Sequence, residues 1–317
     1  MNRMLVLGVG TLVALLLAYW AMTTPVSSLQ IVVQILIQGL MTGGLYALMA
    51  AGLTIVLGVM KIINLSHGDL MIIGSFTTYW IYTALGLSLL LAALSAFVIG
   101  FAIGVVVQVL LLQRALRRGL DQPMLITWGI SLVTESVLLF GWGGNLRSVM
   151  TQYATDVFTV AFLRISFLSL LSCILAFSII LVLVMFLKRT FFGLAIRAVG
   201  QDVEVARLMG VKPLHVNVLA FGIGSALAGI AGVLYAITQS FTPVTGVSLF
   251  LLAFIAIVVG GVGSIDGTLV GGLFVGVVQS VLALWLGGEY SAAVLYFFLI
   301  VFLMFKPTGL LAKYRAF

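Results

Sequence analysis

His67 and Asp69, with Asn64 just upstream, are the side chains whose types and spacing first invite a chemical reading. A histidine two residues from a carboxylate has the makings of a proton relay, but a relay needs a third group within reach. No such partner is identifiable from sequence. The three residues would equally line a gate, or serve structure, with Asn64 and Asp69 capping helix ends and His67 bonding a carbonyl. The second histidine, His215, is far away in the chain, so no metal-ligand spacing exists and no metal is expected. Cys173, the single cysteine, lies in an apolar run and reads as a small packing residue. Gly260, Gly261, Gly263, Ser264 and Gly267 resemble a nucleotide loop, but Asp266 occupies the last position of G-x-G-x-x-G. A tight turn between two apolar helices is expected there, with Asp266 near a basic loop.

Composition excludes most settings in which such residues would work as a soluble enzyme. Of the 317 residues, 63% are hydrophobic and 7% charged, whereas a soluble domain carries about 25% charged residues. No charge occurs between Arg3 and Lys61 or between Asp69 and Arg114. Runs of this length admit spans of about 20 residues each. The net charge of +7 therefore marks residues flanking membrane spans, not a nucleic-acid surface. Long continuous apolar runs exclude a barrel of alternating ten-residue strands. The expected fold is an all-α, polytopic transmembrane bundle.

Ten spans are expected, near residues 4–22, 31–59, 70–84, 88–112, 124–142, 166–187, 216–238, 248–264, 268–286 and 291–305. The second is long and rich in glycine, so it should tilt or break, with the part after Gly52 partly unwound. If residues 1–28 are a cleaved signal peptide, nine spans remain; otherwise both termini are cytoplasmic. With the N-terminus inside, thirteen of the fifteen basic residues fall on the cytoplasmic side, leaving Arg147 and Arg164 outside. Asn64, His67 and Asp69 then sit near the cytoplasmic surface beside Lys61. Glu135 is the one acid well inside an expected span and must face the bundle interior or a water-filled path.

Two connections are long. Residues 143–165, outside, form a docking or gating surface. Residues 188–215, inside, hold seven of the 23 charged side chains and should form two short helices. Asp202 is the N-cap of the second, with Val203, Ala206, Leu208 and Met209 as its apolar face, and Gly210 its C-terminal cap.

The pattern Gly193, Arg197, Ala198 and then Asp202, Ala206, Gly210 resembles the coupling loop of ABC importer permeases. It is most similar to the branched-chain amino acid permease family of the LivH type. Ile63-Asn64-Leu65-Ser66-His67-Gly68-Asp69 and the glycine run at 258–279 resemble two further motifs of that family, and Lys306-Pro307-Thr308-Gly309-Leu310 its ending. The resemblance implies a permease domain at 29–317, with coupling loop 188–215. It further implies two cytoplasmic ATP-binding subunits, a second permease of the LivM type and an external substrate-binding protein. Asn64, His67, Asp69 and Glu135 become gate or pathway residues, and Gly261, Gly263, Ser264 and Asp266 a turn facing the ATPase side. The chain lacks a G-x-x-x-x-G-K-[ST] loop, so the expectation is a translocation subunit, not an enzyme, without a cofactor of its own; ATP binds the partners. A urea or short-amide importer is an alternative within the family. A stand-alone ion-coupled transporter would need an intramembrane charge pair, and only Glu135 is at hand.

Overall fold

The computed structural model describes residues 27–116 and 121–305. The expected span at 4–22, both termini, Arg3, Arg117, Arg118, Lys306, Lys313, Arg315 and the 306–310 ending lie outside them. Helix α1 (Ser27–Met60) is followed by α2 (His67–Thr78), which runs on into a π-helical turn at Tyr79–Ala84. Next come α3 (Leu89–Ala115), π-helical at Gln108–Leu112, and α4 (Asp121–Trp142). Strands β1 (Val157–Val160) and β2 (Leu163–Ser166) form an antiparallel hairpin, with Val157 opposite Ser166. Then follow α5 (Phe167–Arg189), α6 (Phe191–Gln201), α7 (Val203–Leu208) and α8 (Pro213–Thr238). Helices α9 (Thr245–Gly260), α10 (Ile265–Leu286) and α11 (Gly288–Phe305) complete the bundle.

Among the described residues, α1, α3, α4, α5, α8 and α10 are long and apolar enough to cross a membrane, and α9 and α11 are apolar but shorter. The chain is a multi-pass helical membrane protein. Eight of the nine spans expected from residue 31 onward fall on these helices, although α9 ends four residues early; the ninth, at 70–84, falls on α2 and its π-helical turn, which is not among the helices long and apolar enough to cross. The hairpin at 157–166, closing the 143–165 connection, is an element that the apolar runs do not reveal.

The expected break after Gly52 does not occur: α1 is one helix of 34 residues, about 50 Å long at 1.5 Å per residue. Gly52 serves close approach instead. A Cβ there would stand 2.8 Å from the Gly224 carbonyl oxygen and 3.1 Å from Cε1 of His67. The same economy of size runs through the core, since small residues let helix backbones meet. Gly43 of α1 abuts the backbone of Leu273, and Gly272 that of Ala47, so α10 lies directly on α1. The Thr54 and Thr268 hydroxyls, 2.8 Å apart, pin the same pair. Gly44 packs on Cys173 and Phe177 of α5, which is the packing role expected of Cys173. On the other flank, Gly100 and Gly104 of α3 meet Ser225 of α8. Helices α1 and α8 are therefore the buried centre, with α3, α5 and α10 arranged around them.

The bundle has two distinct ends. One gathers the end of α1, the start of α8, and Lys188, Arg197 and Lys212, and is called here the basic end. The other carries the β-hairpin, tied to the start of α1 by Gln34, which accepts from the Arg164 amide at 2.9 Å. This is the hairpin end.

Candidate functional site

At the basic end, α5 turns sharply into α6. Thr190 caps α6 by accepting from the Gly193 amide at 3.0 Å, and its hydroxyl donates to Phe186 at 2.7 Å. Any side chain at Gly193 would collide with the backbone of Phe186 and Leu187, so the elbow requires glycine. Ala195, Ile196 and Val199 are buried, Arg197 and Ala198 half-buried. Asp202 caps α7 as expected, accepting from the amides of Glu204 and Val205 at 2.9 and 3.0 Å. Helix α7 ends with the Gly210 amide donating to Arg207 and the Val211 amide to Ala206. That is a Schellman cap, and Gly210 takes the φ of +84° it demands.

The apolar face of α7 is not the one expected. Ala206 is buried and Val203 half-buried, but Leu208 and Met209 are 87% and 80% exposed. Leu208, two residues after Ala206, lies on the opposite face of the helix, and Met209 is the residue that caps its end. Phe191, Phe192, Leu194 and Val205 are also exposed. The paired short helices thus bury one flank on the bundle and hold apolar side chains away from it. Behind them a cavity of about 830 Å³ opens between Met60, Gln113, Val199, Gly210 and His215. Arg207 pairs with Glu204 at 3.1 Å, but both are solvated and the pair adds little.

The glycine turn lies at the same end. Gly261 and Gly263 have φ of +106° and +81°, so the chain reverses within four residues. Ser264 caps α10, accepting from the Gly267 amide at 3.0 Å. Ser264, Ile265 and Asp266 share a cleft with Lys188 and Arg197. The structure thereby joins two segments that were separate in the sequence. Asp266 lies near the basic loop as expected, without an ion pair to it among the described residues.

Asn64, His67 and Asp69 are not at the surface. His67 Nε2 lies 3.0 Å from the Met49 carbonyl, about 16 Å along α1 from its end at Met60. Lys61, with φ of +55°, stays exposed while the chain after it folds back into the bundle. Asn64 is fully buried and accepts from the amide and hydroxyl of Ser66 at 3.2 and 2.8 Å. Satisfaction at this depth is partial: the Asn64 oxygen and His67 Nε2 are bonded, while Asn64 Nδ2 and His67 Nδ1 are buried without a hydrogen-bond partner among the described residues. Asp69 is 2% exposed and takes a hydrogen bond from Ser131 of α4, with Glu135 near enough to act on it electrostatically. Glu135 faces the bundle, as expected, but it is not the only deep acid. Gly68 and Gly246 are in backbone contact, so α2 and α9 begin side by side at Asp69.

Sequence reading missed Thr127 and Ser131. Thr127 accepts from the Leu65 amide at 3.2 Å. Their spacing with Glu135, four residues each time, places all three on one helix face and was a usable signal. It also missed Arg147 as an anchor. Its guanidinium donates to the Trp142 carbonyl at 2.8 Å and lies 4.9 Å from the Tyr79 ring. Its backbone pairs with Phe241 in both directions, which sews the hairpin-end loop to the chain leaving α8. Among the described residues no group of three His, Cys, Asp or Glu side chains converges to hold a metal ion.

Residues 35–303 match the family model described as the branched-chain amino acid transport system permease component. The high-affinity branched-chain amino acid transport system permease protein BraD of Pseudomonas aeruginosa is 31% identical over 293 residues, covering 88% of this chain and 95% of that protein. LivH of Escherichia coli K12 has the same identity and coverage. The autoinducer 2 import system permease protein LsrC of Salmonella paratyphi B is 28% identical over 51% of this chain and 47% of its own. No solved structure matches the chain.

Proposed function

The chain belongs to the permease-component family of branched-chain amino acid transport systems, and we propose that it is the permease subunit of an ABC importer for branched-chain or related amino acids. In this reading it lies in the inner membrane with its basic end in the cytoplasm. Two ATP-binding subunits dock on that end. A second permease of the LivM type completes the translocation path, and an external binding protein delivers substrate at the hairpin end. The chain hydrolyses nothing itself; closure of the ATPase pair is its source of work.

The observation that carries the proposal is the surface made by α6 and α7. Phe191, Phe192, Leu194, Leu208 and Met209 are held away from the bundle on a capped, glycine-cornered scaffold. Exposed apolar groups of this size on short helices are what a partner's groove receives. The buried flank of α6, through Ile196 and Val199, joins the bundle core, so a push on the exposed flank reaches the spans. Copurification with the ATP-binding subunit should be lost when Leu208 and Met209 are both changed to serine. Uptake by the chain alone in vesicles without ATP would falsify the proposal. Its substrate class is tested on the binding protein: an isotherm for urea or a short amide, and none for leucine or isoleucine, replaces the amino acid.

A further inference from the structure

The cleft between the basic-end tips of α5 and α10 has a chemistry that transport does not use. Val184, Leu187 and Lys188 of α5 form one wall, Ser264, Ile265 and Asp266 the other, and Arg197 of α6 closes it. Its volume is about 100 Å³, several times the roughly 10–15 Å³ one water requires. Two cations line this small space, and the Arg197 Nε is buried without a hydrogen-bond partner among the described residues. Neither cation is paired: the only ion pair among the described residues is Glu204 with Arg207. Asp266 is exposed and leaves the lining a net positive charge. The first amides of α10 add the positive end of a 22-residue helix.

The lining is apolar toward the membrane and basic at the rim. Val184 and Leu187 belong to the last turns of a spanning helix, and Lys188 stands where that helix leaves the bilayer. Helices α5 and α10 both rest on α1, at its neighbouring residues Gly44 and Gly43. A phosphate fits the cationic rim of the cleft, and the head of an acyl chain fits its apolar wall. Basic pockets between spanning helices at a membrane surface bind lipid headgroups in this way. We infer that the Lys188–Arg197–Ser264 cleft holds the phosphate of an anionic phospholipid, with the lipid tail leaving over Val184 and Leu187. Because Arg197 also belongs to the coupling segment, a lipid in this cleft braces α6 against the bundle.

Native mass spectrometry of the purified, folded complex tests this, after exchange into phosphatidylcholine vesicles containing phosphatidylglycerol and delipidation by detergent. The unaltered protein should retain one phosphatidylglycerol. Lys188→Gln should lower that retained species at least fivefold, and Lys188→Arg should keep it. Lys212→Gln, a charge change elsewhere on the basic end, should also keep it. Equal retention by Lys188→Gln, or equal retention of phosphatidylcholine by the unaltered protein, overturns the assignment. Displacement by millimolar inorganic phosphate also overturns it, since the cleft would then be a site for free phosphate. Lys188 is exposed, so its substitution tests binding and not folding.

Discussion

Asp69 lies deep in the bundle, accepting from Ser131 across to α4 and crowded by Gly246, where a Cβ would come within 2.7 Å of its Oδ1. A hydrogen bond between spanning helices contributes about 0.6 kcal/mol on average and about 2 at most. Ser131→Ala should therefore lower the melting temperature in detergent by a few degrees. A double-mutant cycle with Asp69→Asn should recover that coupling; strict additivity would mean the two side chains do not interact. Glu135→Gln should leave assembly intact and alter uptake kinetics, and unchanged kinetics would remove Glu135 from the transport path. The cost of an uncompensated charge within a span turns Glu135 inward, but by the same reasoning Asp69 is expected at the surface. The reason is that Lys61 was assumed to hold its neighbours in water, whereas one left-handed residue sends the chain back inside.

Helix ends carry the next level of prediction. Gly210 has φ of +84° with open space around it, so a substitution there is opposed by backbone strain and not by packing. Gly210→Val should uncouple ATP hydrolysis from uptake in an assembled complex, read as substrate-stimulated ATPase against transport in the same vesicles. Unaltered coupling would show that the Schellman turn is not needed. Asp202→Ala removes the cap of α7 at a cost of about 1 kcal/mol. For a helix of six residues that should fray it, and proteolysis at Arg207 would reveal the loss. These caps were legible in the sequence because a cap depends only on residues three or four apart. The outward turn of Leu208 follows from its place two residues after Ala206, across the helix, whereas that of Met209 depends on α7 ending at Leu208.

At the scale of the molecule, α1 is the axle: α10, α8 and α5 all reach its backbone through glycine. Gly43→Leu should prevent α10 from closing on α1, seen as lost monodispersity in size-exclusion chromatography, while Gly129→Leu, in open space on α4, should be silent. Orientation is open to labelling in a Cys173→Ser background. A membrane-impermeant maleimide should reach a cysteine at Tyr153 in intact spheroplasts and one at Met209 only after permeabilisation. The reverse pattern would invert the chain. Composition and charge placement by themselves determined the membrane, the helical class and the positions of most spans. Transfer into a bilayer is close to additive over neighbouring residues, so it can be read along the chain. The motif residues, too, were visible as types and spacings. What only the tertiary structure decided is which of them meet: Asp69 with Ser131 and Glu135, and Arg197 with Lys188 and Ser264. Those meetings depend on contacts between helices distant in sequence, made possible by glycines whose lack of a side chain matters only when another backbone arrives.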